Sequence, residues 1–166
     1  MESVEIAAHI PRLRRYARAL VGDGHRADDL VQDTLERSLT KFHLWRSGSD
    51  LRAWLFTIMH NVFINQLKAR REFALDDVAE AALQSAPQSD PLEMRDLDAA
   101  LRLLRAEQRE VLLLVGLEQL SYAEAGKALG IPIGTVMSRL SRARERLRIL
   151  MSGAGAPAVN NLKVVK

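Results

Sequence analysis

The chain has no cysteine, so no disulfide framework can staple it, and thiol nucleophiles and cysteine-based zinc sites are excluded. That composition fits a reducing compartment, and a cytoplasmic location is expected. No segment approaches the roughly 20 apolar residues of a membrane span. The N-terminus MESVEIAAHIPRLRR lacks a basic stretch followed by an unbroken apolar run, so no membrane insertion is expected either. Strand-forming runs, internal repeats and glycine-rich phosphate loops are missing. His9, His25, His43 and His60 have neither metal-ligand spacing nor an HExxH context, and no nucleophile stands with a base. The expectation is therefore no catalytic residue, no metal and no cofactor.

What remains is a globular helical composition: 48% hydrophobic and 27% charged over 166 residues, enough for one ordinary domain or two small ones. The net charge is only +3, but its distribution says more than its sum. Residues 73–100 hold seven acidic side chains and one Arg, between basic segments on either side. Such segregation argues for separate surfaces with separate partners.

The clearest pattern lies at SYAEAGKALGIPIGTVMSRLSRARERLRIL, residues 121–150. Ser121 and Glu124 have capping-box spacing, which predicts a short helix from Tyr122 with Ala125, Ala128 and Leu129 inward. Gly130 allows a sharp turn. Beyond it, Ile133, Val136, Leu140, Ala143, Leu147 and Leu150 recur at helical spacing and require burial. Another side of that helix collects Thr135, Ser138, Arg139, Arg142 and Arg146. Between Pro132 and Arg148 there are five Arg and one Glu, a face suited to a polyanion. An Arg-rich outer face equally describes a solvated one. The capped helix, glycine turn and longer basic helix together follow the helix-turn-helix plan, whose second helix enters the major groove.

Upstream, residues 4–21 read as one helix with Ile6, Ile10, Leu13, Ala17 and Leu20 inward, and Pro11 either kinking it or starting its main part. Residues 26–42 form a second helix with Val31, Leu35, Leu39 and Phe42 inward, while Asp29, Gln32, Asp33 and Glu36 share an outer acidic face. Residues 43–50 are a loop ending in a Ser49 or Asp50 cap. A third helix buries Leu51, Trp54, Leu55, Ile58 and Val62 and ends at Arg70 and Arg71. It leaves Asn61, Asn65 and Lys68 outside with Thr57. Asn is a mediocre helix former, so two of them a turn apart beside cations invite a role in contacting bases, against the alternative of merely exposed amides.

Residues 73–90, rich in acid and free of basic residues, read as a linker. Helices over 91–104 and 106–117, with Leu97, Leu101, Leu104, Val111, Leu112 and Val115 inward, precede the helix-turn-helix. Residues 151–166 read as a tail.

In that order, ADDLVQDTLERSL, LRAWLFTIMHNVFIN and LSYAEAGKALGIPIGTVMSRLSRARERLR resemble the extracytoplasmic-function sigma factors of bacterial RNA polymerase, in flanks such as IPRLRRYARAL the general-stress-response subgroup. The resemblance implies an all-α fold of two modules joined by a flexible linker. Sigma region 2, a three-to-four-helix bundle, would span residues 1–72, and sigma region 4, a four-helix helix-turn-helix domain, residues 91–150.

It further implies that Asp29, Gln32, Asp33 and Glu36 dock on the polymerase core. Asn61 and Asn65, with Lys68, Arg70 and Arg71, would serve the minus-10 element, and the 43–50 loop would receive a flipped base. Thr135, Ser138, Arg139, Arg142 and Arg146 would serve the minus-35 element, and an anti-sigma factor would mask both DNA faces. Two departures stand out. Met137 occupies a position where many relatives carry a basic residue, and Arg105-Ala106 replaces a Pro-containing turn. The competing reading is a sigma mimic that sequesters an anti-sigma factor without touching DNA, which would have no need of the Arg139, Arg142 and Arg146 face or of Asn61 and Asn65.

Overall fold

Capping and turn residues cut the chain into helices before any packing is considered. The structure is a computed structural model that describes residues 2–46, 48–74 and 92–153. In the first half these hold α1 (Glu2–Ala7), α2 (Ile10–Val21), α3 (Gly24–Thr40), a 3-10 turn at Phe42–Leu44 and α4 (Leu51–Ala74). The second half holds α5 (Leu92–Leu103), α6 (Ala106–Leu112), continued by a π-helical turn at Leu113–Leu117, then α7 (Tyr122–Leu129) and α8 (Ile133–Gly153). Among the described residues the fold is all-α. Of the expected linker only residues 73 and 74 are described, as the end of α4; of the expected tail only 151–153, as the end of α8.

The single helix expected over 4–21 is broken at Ala8 and His9. Pro11 sits in the first turn of α2, where its missing N–H costs nothing. The α3 helix starts earlier than expected because the Asp23 side chain accepts a hydrogen bond from the His25 N–H. Its inward face is also rotated. Leu39 is 47% exposed, while Leu30, Thr34 and Ser38 are buried. The two hydroxyls tolerate this because each bonds back to its own helix, Thr34 to the Leu30 carbonyl at 2.7 Å and Ser38 to that of Leu35 at 2.8 Å. Leu97 and Ile133, both expected inside, are 37% and 46% exposed; they stand on the outer edges of α5 and α8.

Leu13, Tyr16, Ala17 and Leu20 of α2 share one buried core with Leu55, Phe56 and Met59 of α4, with Tyr16 edge-on to Phe56 at 4.9 Å between ring centres. Val136, Leu140 and Ala143 of α8 close a second core with Val111, Leu114, Ala125 and Ala128. These cores are continuous. In α4, Leu55, Phe56, Ile58, Met59, Val62 and Phe63 are all buried, an arc too wide for one neighbour, because α3 lies on one side and α7 on another. The two halves of the chain therefore press directly on each other, through α4 against α7 and α2 against α5, α6 and the π turn.

Gly126 shows how tightly the helix-turn-helix is drawn. A Cβ there would lie 2.8 Å from the Ile131 carbonyl oxygen, and the Ile131 N–H in turn reaches the Gly126 carbonyl at 2.9 Å. Gly126→Ala should push the turn away from α7 and cost about 1–3 kcal/mol, read as a lowered urea midpoint at unchanged m-value.

Candidate polymerase and nucleic-acid interfaces

The capping box is complete. Ser121 Oγ accepts from the Glu124 N–H at 3.0 Å and the Glu124 carboxylate accepts from the Ser121 N–H at 2.9 Å. Gly130, at φ 71°, then reverses the chain and α8 starts after Pro132. With Val136, Leu140 and Ala143 locked inward, the 100° step per residue fixes what points out. Ser138, Arg142 and Arg146 are exposed, and Thr135 and Arg139 are half-buried at the margin of the same face. Arg142 and Arg146 make no ion pair among the described residues, so their charge is open to a polyanion. Met137 lies about 140° around the helix from Arg142. It lines a shallow cavity of about 560 Å³ with Tyr122, Leu140, Arg144 and Arg148, which takes it off the cationic face.

On α4, the side left free by packing carries Asn61, Asn65 and Lys68, then Arg70 and Arg71, all exposed. Burial, and next the charge of Arg70, pull Arg26 below the usual guanidinium range, so α3 contributes a further cation beside the end of α4. The sequence reading missed Arg26, which stands alone in its helix start. Before α4, Phe42 packs on Trp45 and Trp54 at 5.3 and 6.1 Å between ring centres. The Trp45 indole N–H is buried and has no acceptor among the described residues, an unmet donor in a loop otherwise polar.

Asp29, Gln32, Asp33 and Glu36 are all exposed on α3. Asp33 accepts a hydrogen bond from the Gln66 amide of α4 at 2.9 Å, which sets this acidic face against a fixed neighbour. The structure thus brings the fourteen expected residues to the surface on α3, α4 and α8, with only Thr135 and Arg139 partly covered.

A fourth cluster was not anticipated. Glu118 has a fully covered side chain; its carboxylate meets Arg15 at 3.2 Å and Arg12 at 3.5 Å, both from α2. Arg52 of α4 donates to the Glu118 carbonyl at 3.0 Å and approaches Glu124 at 3.6 Å. Glu110, 4% exposed, meets His60 Nδ1 at 2.6 Å. Burial pushes both glutamates above the usual carboxylate range, against the pull of His60 on Glu110 and of Arg15 on Glu118. The available signal was an acid inside the apolar run VLLLVGLEQL, where a charge has no reason to sit unless something meets it.

No group of residues suited to hold a metal ion occurs among the described residues, and no helix there is long and apolar enough to cross a membrane. A capped helix-turn-helix with an unneutralised cationic face, next to a second helix presenting amides and cations, defines a two-module helical protein of the nucleic-acid-binding class. Comparison with known proteins agrees. Residues 6–60 match the family model for the Sigma2 domain of PhyR, and residues 94–147 match that for Sigma-70, region 4.

The chain is 43% identical over 155 residues to the ECF RNA polymerase sigma factor EcfG of Rhodopseudomonas palustris, covering 92% of this chain and 86% of that protein. It superposes on the sigma factor RpoE of Bartonella quintana, solved with the anti-sigma factor NepR, at a TM-score of 0.78 and 38% identity, covering 89% of this chain and 94% of the other. CnrH in complex with the cytosolic domain of CnrY gives a TM-score of 0.67 at 27% identity, covering 89% and 85%. The chain belongs to the extracytoplasmic-function sigma factors of bacterial RNA polymerase.

Proposed function

We propose that the chain directs RNA polymerase to its promoters in the cytoplasm, with no catalysis of its own, and that its patches divide the work. The observation that carries this reading is the pair of exposed DNA-suited faces, Asn61 and Asn65 with Lys68, Arg70 and Arg71 on α4, and Ser138, Arg142 and Arg146 with Thr135 and Arg139 on α8. The α8 face reads the minus-35 element as duplex, Arg to guanine edges or phosphates and hydroxyls to either. The α4 face and the loop before it take the minus-10 element, where opened bases can be stacked and read on their edges. The Phe42, Trp45 and Trp54 rings in and beside that loop support the role, since opened bases stack on aromatic faces.

Asp29, Gln32, Asp33 and Glu36 dock on the polymerase core, supported by the exposure of all four on α3. The module boundaries proposed are 1–72 for region 2, 73–90 for the linker and 91–150 for region 4. An anti-sigma factor, an amphipathic helical protein masking the DNA faces, is the proposed regulator, supported by the complexes in which the two solved relatives were found.

The test is transcription. The purified chain added to core polymerase should yield promoter-dependent transcripts, with binding that weakens steeply as salt rises. Folded protein that captures an anti-sigma factor but gives no transcript at any salt would instead identify a mimic.

A further inference from the structure

The outward side of α8 has two flanks, and the residues named above for the minus-35 element take up only one. Thr135, Arg139, Arg142 and Arg146 follow one another at i, i+4, i+7 and i+11 and form the cationic flank. Met137, Ser141, Arg144 and Arg148 repeat that spacing two residues on and form the other, all four of them exposed. Met137 is 49% exposed and shares the cavity of about 560 Å³ with Tyr122, which is also exposed. Apolar surface therefore stays in water beside the start of the helix, while Val136 and Leu140 already fill the inward side.

The helix-turn-helix plan says what covers it. A helix with its side chains is about 10–12 Å across and a major groove about 12 Å wide, so α8 meets base edges along both flanks. The first helix of the plan crosses the backbone. Tyr122 stands in the first turn of α7, so the cavity lies between groove and backbone, on the flank away from Arg142. The charges agree. Arg144 makes no ion pair among the described residues and is open to a phosphate, while Glu145, the one acid lining the cavity, is neutralised by Arg148 at 2.6 Å.

The side chains next to Met137 also leave room for bases. Ser138 and Ser141 are short, and nothing lies within 4 Å of where a Cβ on Gly134 would stand. The apolar mark that base edges show in the major groove is the thymine 5-methyl group. Cytosine lacks it and shows an amino donor, which a thioether accepts only weakly.

We propose that Met137 is a base-reading residue of the minus-35 contact, covering the 5-methyl group of a thymine on the side of the groove away from Arg142, with Arg144 on a neighbouring phosphate. The element then contains an A·T pair that this chain selects by apolar contact rather than by hydrogen bonding. The proposal rests on the sigma reading above and deepens it at α8.

Deoxyuridine in place of thymidine removes the 5-methyl group and leaves base pairing unchanged. Holoenzyme binding is measured on promoter duplexes in which each thymine of the minus-35 element, on either strand, is replaced in turn. At one position the wild-type chain should lose about three- to tenfold in affinity, the worth of one buried methyl group or somewhat more. Met137→Ala should lose at least as much on the unmodified promoter and be indifferent to uracil at that position. Met137→Leu, which keeps an apolar side chain, should still sense it; non-additivity of this kind marks direct contact. Urea midpoints equal to wild type show that both variants are folded.

A minus-35 element without an A·T pair, uracil that costs less than about twofold at every position, or a uracil penalty as large in Met137→Ala as in wild type each overturns the proposal. So does a Met137→Ala variant that loses affinity for core polymerase in the absence of DNA, which would put a protein surface on this flank. A holoenzyme with no promoter preference at all would strike the sigma reading itself, whereas promoter-specific binding indifferent to uracil strikes only the role of Met137.

Discussion

Arg109→Ala is expected to destabilise the chain by more than about 3 kcal/mol, the largest effect of any single surface-reaching side chain. Its guanidinium donates to the Leu101 carbonyl and to the Leu104 carbonyl at 2.7 Å each, and to that of Arg102 at 3.3 Å, so it gathers carbonyls at and just beyond the end of α5. A fourth bond reaches the Leu20 carbonyl near the end of α2, on the other half of the chain. One planar group thus closes two helix ends, which have the partial negative charge that favours a cation. Truncation leaves the Leu101 carbonyl with only the Leu104 N–H, at 3.2 Å, takes this donor from the other three, and removes the side chain that fixes the α5 to α6 corner.

Arg109→Lys keeps the charge but offers three donors on one nitrogen, which cannot fan out to carbonyls on two helices, and should recover less than half of the loss. Urea unfolding followed by circular dichroism reads both values; an alanine variant within 1 kcal/mol of wild type, on the order of one ordinary hydrogen bond, would refute the capping role. The corner itself is where Arg105-Ala106 replaces a Pro-containing turn. Arg105 there adopts φ −67° and ψ 150°, the backbone a Pro would impose, and the boundary falls between Leu104 and Ala106 as the residue pattern suggested.

How far the sequence could be read follows from which interactions are local. The capping box at Ser121 and Glu124, the turn at Gly130 and the outward side of α8 depend on residues within a few positions, and periodicity alone places Arg142 and Arg146 outside. The exposure of Asn61 and Asn65 was legible for the same reason. Leu39 and Thr34 were not. Whether a leucine or a back-bonded hydroxyl turns inward on α3 is decided by α4, and period cannot weigh a buried Thr against an exposed Leu. Phe56, Met59 and Phe63 of α4 are buried because the helix is packed from several sides, by α2 and α3 of the first half and by α7 more than fifty positions away. Glu110 and Glu118 were not anticipated, since their partners His60, Arg12 and Arg15 are 50 to 106 positions away. Pair identity of that kind has no one-dimensional signature.

The second large effect would separate the two proposed DNA faces by the step each one limits. Arg142→Ala should weaken binding of the holoenzyme to a promoter with its minus-35 element intact by about 10- to 100-fold if the guanidinium grips a guanine edge, the equivalent of about 1–3 kcal/mol. The loss should vanish when the minus-35 bases are scrambled. Arg146→Ala, one turn further along and exposed, should weaken all sequences alike and lower the salt slope by about one if its contact is a phosphate.

Asn61→Ala combined with Asn65→Ala should behave differently. Neither amide is tied into the protein by a hydrogen bond among the described residues, so folding should be untouched. Binding of closed duplex should also change little, while the fraction of promoter with unpaired minus-10 bases falls at least tenfold, because edge contacts to opened bases exist only after opening. Permanganate reactivity of unpaired thymines measures that fraction directly. Equal losses in duplex binding and opening for both pairs would mean that the amides and the arginines act on one undivided surface, and the assignment of α4 and α8 to separate promoter elements would fail.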